Sequence, residues 1–291
     1  MRIHRLSLFI VFAIFCSSQT SLAQFSQQAE LVGSGAINGP GQITVAVSSD
    51  GNTALVGGRG DNGTRGAVWV FARSEGVWRQ QGAKLVGTGA NGATAQGSSI
   101  ALSSDGNTAL VGGPGDGVWV FIRSGGLWTQ QGGKLTVSDA TGSASLGSSV
   151  ALSADGNTAI IGGSSDDSNQ GAAWIFTRSG GVWSEQRKLV GTGQTGAALQ
   201  GTSVALSADG NTAIVGGPGD NSNQGATWVF TRSIGVWSQQ AKLIGMNVSG
   251  TPRQGVSVAL SADGDTAVAG GPNNAGPNNA ANTGGGVGLH A

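Results

Sequence analysis

The chain has 291 residues with no formal net charge, 10% charged side chains, 54 glycines, eight tryptophans, no tyrosine and one cysteine. So even a charge balance excludes a polyanion partner drawn by bulk basicity, and one cysteine excludes a disulfide framework. Glycine at this level suggests disorder, but the short runs between glycines each carry Val, Ile, Leu or Trp to bury, which argues for many short strands.

The first segment has a basic start (Arg2, His4, Arg5), an apolar run over 6–16 and a polar stretch ending in Ser21-Leu22-Ala23. This pattern predicts a secretory signal peptide, residues 1–23, cleaved after Ala23. Its apolar run is well short of the roughly 20 residues a spanning helix needs, and no later segment is long enough, so no membrane span is expected. Cys16 lies inside the signal and follows Phe15. A lipoprotein signal wants a small residue there, so the mature chain is expected to carry neither thiol nor lipid. Removing Arg2 and Arg5 from the 15 basic side chains leaves 13 against 15 acidic ones. No nucleic acid partner is expected. The expected location is secreted or periplasmic.

Residues 27–33 (Gln-Gln-Ala-Glu-Leu-Val-Gly) match residues 239–245 (Gln-Gln-Ala-Lys-Leu-Ile-Gly), so the mature chain opens on an element that elsewhere ends a repeat. The repeat itself is marked by Leu-Ser-Ala-Asp-Gly-Asn-Thr-Ala at 206–213. It recurs around Asp50, Asp105, Asp155 and Asp263, with successive aspartates 55, 50, 54 and 54 residues apart. A period near 50, rich in Val, Ile, Trp and Thr, is too long for a solenoid coil and fits the blades of a β-propeller.

Within the fourth copy, residues 203–207 and 212–216 read as the two arms of a hairpin around Asp209-Gly210, because glycine and asparagine tolerate the positive φ of hairpin turns. A glycine-rich loop, 217–225, leads to a third strand at 226–232, and a fourth follows at 236–244. Tryptophans mark the last two strands at a constant spacing of nine: Trp69 and Trp78, Trp119 and Trp128, Trp174 and Trp183, Trp228 and Trp237. The second copy has lost five residues from the loop between its second and third strands, since Gly113 to Trp119 spans six positions and Gly217 to Trp228 spans eleven. A deletion confined to a loop supports the strand assignment.

The fifth copy has its first two strands and then decays into a segment, 272–291, that is rich in Asn, Gly and Pro. Val287 and Leu289 fall where a third strand belongs, so this segment reads as a degraded last strand or a tail. The expected fold is therefore all-β, a β-propeller of about five four-stranded blades over residues 24–271, closed by the N-terminal strand pairing into the last blade. The alternative is an incomplete part of a seven-bladed propeller.

Several residues are candidates for function. Asp50, Asp105, Asp155, Asp209 and Asp263 precede glycine in hairpin turns, where turn chemistry alone explains them; Asp155 and Asp209 are also candidate metal ligands. Arg73, Arg123, Arg178 and Arg232 follow each third strand and are expected to pair with acceptors on the next blade or to face solvent, with a binding surface as the alternative. Asp61, Asp116, Asp166 and Asp220, with Asn221 and Asn223, lie on the long loops that four antiparallel strands gather on one rim, and are the ligand-binding candidates. The competing reading makes them solvated turn residues. Arg59-Gly60-Asp61 matches an integrin-recognition tripeptide. Pro114-Gly115-Asp116 and Pro218-Gly219-Asp220 show, however, that Gly-Asp belongs to the repeat. After signal removal the only histidine is His290, so nucleophile and base arrangements built on His, Cys or Tyr have no members, and no catalytic residue is nominated.

The repeat resembles the FG-GAP repeats of integrin α-subunit propellers and, more closely, their bacterial secreted relatives. The resemblance rests on Ser-Val-Ala-Leu-Ser-x-Asp-Gly-Asn-Thr-Ala, then Gly-Gly-Pro, then Trp-Val-Phe-x-Arg-Ser, and it covers residues 27–271. It implies a propeller used for extracellular binding, and the family often has seven blades. Two departures stand out. The Phe-Gly pair is here Gln96-Gly97, Leu146-Gly147, Gln200-Gly201 and Gln254-Gly255. Calcium-binding members carry several alternating Asp or Asn ligands, whereas each turn here offers one carboxylate against the six to eight or so oxygens calcium takes. No cofactor is expected. The functional expectation is a secreted, monomeric, non-enzymatic binding or scaffold propeller that recognises an extracellular protein or glycan on its long-loop face. Its rivals are a propeller hydrolase or lyase acting on polysaccharide, and a truncated repeat protein without stable function.

Overall fold

The computed structural model describes residues 27–245 and 250–272, and the backbone of 285–290. It is all-β. Four antiparallel sheets of four strands and one of three follow one another along the chain. The first blade is β1 (Ile43–Val47), β2 (Thr53–Gly58), β3 (Ala67–Ser74) and β4 (Val77–Gln80); the second is β5 (Ser99–Leu102), β6 (Thr108–Gly113), β7 (Gly117–Ser124) and β8 (Leu127–Gln130). The third is β9 (Ser149–Leu152), β10 (Thr158–Gly163), β11 (Ala172–Ser179) and β12 (Val182–Leu189), and the fourth is β13 (Ser203–Leu206), β14 (Thr212–Gly217), β15 (Ala226–Ser233) and β16 (Val236–Leu243). The fifth holds β17 (Ser257–Leu260), β18 (Thr266–Gly271) and β19 (Gly285–His290). In every blade the strands pair in chain order, so each blade is a meander.

The hairpin between first and second strands forms as its sequence dictates. The Asp209 carboxylate accepts from the Ser207 hydroxyl (2.5 Å), the Asn211 amide N–H (2.9 Å) and the Asn211 side chain (2.9 Å). This is an Asx turn. Gly210 completes it with φ 70 degrees, in the left-handed region. The same set surrounds Asp50, Asp105 and Asp155.

The core lies between blades rather than inside one sheet. Trp174 and Phe176 of β11 pack on Leu110, Val118 and Val120 of the second blade, and Trp228 and Phe230 of β15 pack on Ile160, Ala173 and Ile175 of the third. Trp119, Trp174 and Trp228 are fully buried. Their neighbours explain much of the glycine content: a Cβ on Gly87 or Gly191 would collide with the indole of Trp119 or Trp228.

Two expectations meet their outcome here. The degraded third strand of the last blade is present as β19, pairing Val287 with Ala269 and Leu289 with Ala267. The N-terminal segment does not add a fourth strand to it. Residues 27–33 have no ladder partner, and the last sheet holds three strands among the described residues. Instead Leu31 and Gly33 lie against Trp69, whose indole N–H donates to the Ser34 carbonyl at 2.8 Å while the Ser34 N–H donates to Gln80 Oε1 at 2.6 Å. Thr88 does the same for Trp119 and Gln130. Ser34 thus takes the place that Thr88 holds in a blade-to-blade connection.

Candidate functional site

The loop between the second and third strands carries the ligand-binding candidates, and in three blades it contains a single turn, Asp61–Thr64, Asp166–Asn169 and Asp220–Asn223, with left-handed backbone inside it. Three consecutive residues have positive φ in each: +47°, +57° and +68° at Asn221, Ser222 and Asn223. A non-glycine residue costs about 1–2 kcal/mol in this conformation, so neighbouring structure must hold it. The first aspartate of each turn supplies that hold. Asp166 accepts the Thr141 N–H at one carboxylate oxygen (2.7 Å) and forms an ion pair with the Lys188 ammonium at the other (2.7 Å); Asp220 does so with Thr195 (2.7 Å) and Lys242 (2.6 Å), and Asp61 with Ile37 (2.7 Å) and Lys84 (2.5 Å). In the shortened second-blade loop, Asp116 keeps its lysine, Lys134, and accepts the Asn91 N–H at 3.3 Å.

The solvated-turn reading of these aspartates is therefore corrected: Asp61, Asp166 and Asp220 are each 1% exposed, and both oxygens of each are engaged. They are anchors of the rim. Their partners Lys84, Lys134, Lys188 and Lys242 went unremarked in the sequence, although a Lys-Leu pair follows the tryptophan of every fourth strand by five or six positions. Lys188 and Lys242 also stand over the indoles of Trp174 and Trp228, 5.1 Å and 5.3 Å from the ring centroids. At that range an ammonium is attracted to the ring face.

The turn is stitched to the connection entering the next blade. Leu199 and Gln200 donate their N–H groups to the carbonyls of Asn169 and Gln170, both at 2.9 Å, and Arg253 and Gln254 repeat this with Asn223 and Gln224. The buried glutamine at the Phe-Gly position has its own task. Gln200 accepts the Gly191 N–H (2.6 Å) and donates to the Gly191 carbonyl (2.9 Å), pairing like a strand with a backbone that has no other partner, and Gln96 clamps Gly87 in the same way. Leu146 replaces this glutamine in the third blade and packs beside Val137, which stands where Gly87 and Gly191 stand. There Trp174 donates to the Asp139 carboxylate (2.7 Å) instead of a backbone carbonyl, and burial together with the Asp139 charge pushes the Glu185 carboxyl upward.

The arginines lie on the opposite side of the blades. They reach back to the preceding blade rather than forward: Arg123 donates to Asn107 in its own hairpin, to Thr53 (3.0 Å) and to Gln81 (3.3 Å), and Arg178 donates to Thr108 and Gln131. Each guanidinium also covers a tryptophan of its own fourth strand, Arg123 over Trp128 at 5.5 Å and Arg232 over Trp237 at 5.4 Å. Such stacking adds cation–π attraction to the hydrogen bonds. The arginines are joints between blades. The hairpin aspartates stand one to a turn in the first four blades and two, Asp263 and Asp265, in the fifth, and no group of three or more His, Cys, Asp or Glu side chains suited to a metal occurs among the described residues.

An open concavity lies on the rim. Between the third and fourth blades a groove of about 490 Å³ is lined by Asn169, Thr195, Leu199, Ser222 and Asn223 with the backbone of Gly196 and Gly219. Two left-handed turns form its walls and the stitched connection its floor. Beside the apolar Ala197 and Leu199, its polar side chains are neutral amides and hydroxyls, suited to exchanging hydrogen bonds with an uncharged polar ligand. Of the candidates, Asn223 faces this groove, whereas Asn221 bonds to Gln224 at 2.7 Å.

Meander blades stacked through tryptophan interfaces define the chain as a β-propeller protein. The FG-GAP repeat family model matches residues 128–176, from the outer strand of the second blade through the third strand of the third, and the same sequence pattern recurs in the other blades. No curated protein matches the sequence. Among solved structures the fold is similar to Kuenenia stuttgartiensis hydrazine synthase, with a TM-score of 0.52 and 17% identity over 88% of this chain. The chain spans 62% of the length of that one, and the likeness is one of fold.

Proposed function

We propose that the protein is a non-enzymatic binding propeller whose ligand, an extracellular glycan or the polar surface of a protein, sits in the rim groove between the third and fourth blades. The observation that carries this reading is the groove itself: amide and hydroxyl groups of Asn169, Thr195, Ser222 and Asn223 converge on one opening and are held there by buried Asp–Lys anchors. A rigid rim places these groups before the ligand arrives, which lowers the ordering cost of binding. The rival polysaccharide-cleaving reading needs a free acid and base. The rim carboxylates of Asp61, Asp166 and Asp220 are committed to lysines and backbone amides.

The test is a glycan and protein array probed with purified protein, followed by the double variant Asn169→Gly/Asn223→Gly. Glycine keeps the left-handed backbone and removes both amides, so the fold should persist while binding is lost. Binding undiminished in the folded double variant, or turnover of a polysaccharide, would overturn the proposal.

A further inference from the structure

Each internal blade boundary is built from the same three contacts. Apolar residues of a first strand, such as Ile100 and Leu102, pack on the preceding blade; a hydroxyl at the start of the first strand donates to a glycine carbonyl of the following blade, as Ser99 does to Gly147 and Ser203 to Gly255, both at 2.8 Å; and the hairpin N–H donates to the following hairpin. That last series runs Ser49 to Ser104, Ser104 to Ala154, Ala154 to Ala208 and Ala208 to Ala262, at 2.8 to 3.1 Å.

Followed to its ends, the series leaves the apolar and hairpin contacts half-made at each terminus of the stack and the hydroxyl contact half-made on the fifth blade. On the first blade, Ile43, Val45 and Val47 are 55%, 75% and 61% exposed, where Ile100 and Leu102 of the second blade are half-buried. The Ser49 carbonyl, placed like the accepting carbonyls of Ser104 and Ala154, has no donor among the described residues. On the fifth blade the Ala262 N–H and the Ser257 hydroxyl have no acceptor among the described residues, and Val268 is 44% exposed where its counterpart Ile214 is fully buried. Among the described residues no strand of the fifth blade makes an extensive contact with β1.

We propose that the fifth-blade face of one copy docks on the first-blade face of a second copy, so that the protein self-associates head to tail through one more repetition of its own blade boundary. The occupant is a second copy because this chain already carries both halves, matched donor to acceptor and apolar to apolar, and realises that match four times internally. Two different patches make the contact heterologous, which allows growth beyond a dimer. This departs from the monomer expected from the sequence.

The experiment measures sedimentation of the full-length protein over a wide concentration range, with Val45→Lys, Val268→Lys and their mixture. Both positions are exposed, so each variant should melt like the native protein while a buried lysine blocks its one face. Native protein should associate with concentration, each variant alone should stay monomeric, and the mixture should form a one-to-one dimer that grows no further, since each variant retains the face the other lacks. A native protein that stays monomeric, single variants that still associate, or a mixture that stays monomeric would each overturn the proposal. A monomer in which Val45→Cys resists a thiol reagent would overturn it in favour of closure within one chain.

Discussion

Lys188 lies 2.7 Å from the Asp166 carboxylate and 5.1 Å from the centre of the Trp174 ring, so one ammonium joins the loop rim to the blade interface. Removing one member of such a pair leaves the other charge buried, and Asp166 is 1% exposed. Lys188→Met should therefore lower stability by about 3 kcal/mol, because Asp166 loses its counter-charge. The double variant Asp166→Asn/Lys188→Met should recover part of that loss. Urea unfolding of both decides it, and a double variant less stable than Lys188→Met would argue against charge pairing as the cause.

The glutamine clamp gives a second expectation. Gln200→Leu leaves the Gly191 N–H and carbonyl without partners in a buried place. Two such groups amount to roughly 2–4 kcal/mol. The chain shows why leucine is tolerated elsewhere: Leu146 faces Val137, not a glycine backbone that needs pairing. Thermal unfolding of Gln200→Leu should show a clear drop in Tm, and an unchanged Tm would mean that water takes over the clamp.

These anchors mark the boundary of what the sequence discloses. The period, the Asp209-Gly210 hairpin and the paired tryptophans are local patterns, so blade number and strand order could be read directly. Asp220 could not. Its lysine is 22 positions away on β16, its amide donor 25 positions away in the previous connection, and only folding brings them together. Arg123 was legible as an interblade residue but not in direction, because Gln81 and Asn107 are equally ordinary in sequence. The substitution of Gln for Phe before glycine was visible as a departure, and its reason appears only with the Gly87 and Gly191 backbones beside it.

Acid should unfold the propeller through its hairpins. At Asp50 the hydrogen bonds from the Ser48 hydroxyl and from Asn52 lower the carboxyl from 3.8 to about 2. At Asp209 the Ser207 hydroxyl and Asn211 also lower it; at Asp105 and Asp155 burial pushes upward but is outweighed by the same bonds. A carboxyl lowered in the folded state contributes stability that is complete above its unfolded value and lost as pH falls through the folded one. Tm should therefore hold from pH 7 to about 5 and fall between about 4 and 2, with a shallower fall in Asp209→Asn. A flat profile down to pH 2 would remove the hairpins from the account.

The left-handed turns supply the last expectation. Ser222 sits at φ +57° and Ser168 at +58°, and the first blade puts Gly63 at the same position with φ +64°. Two effects compete when glycine replaces serine there. Left-handed backbone costs a residue with a Cβ about 1–2 kcal/mol, which glycine avoids. Glycine in turn loses more freedom on folding, by roughly 0.5–1 kcal/mol. The first is larger, so Ser222→Gly should stabilise by about 0.5 kcal/mol, and Gly63→Ala should destabilise by about 1 kcal/mol. No Cβ clash enters the comparison, because nothing lies within 4 Å of the position a Cβ would take on Gly63. Paired urea titrations of the two variants read both signs at once. Destabilisation by Ser222→Gly would show that the serine side chain contributes more than its backbone strain removes.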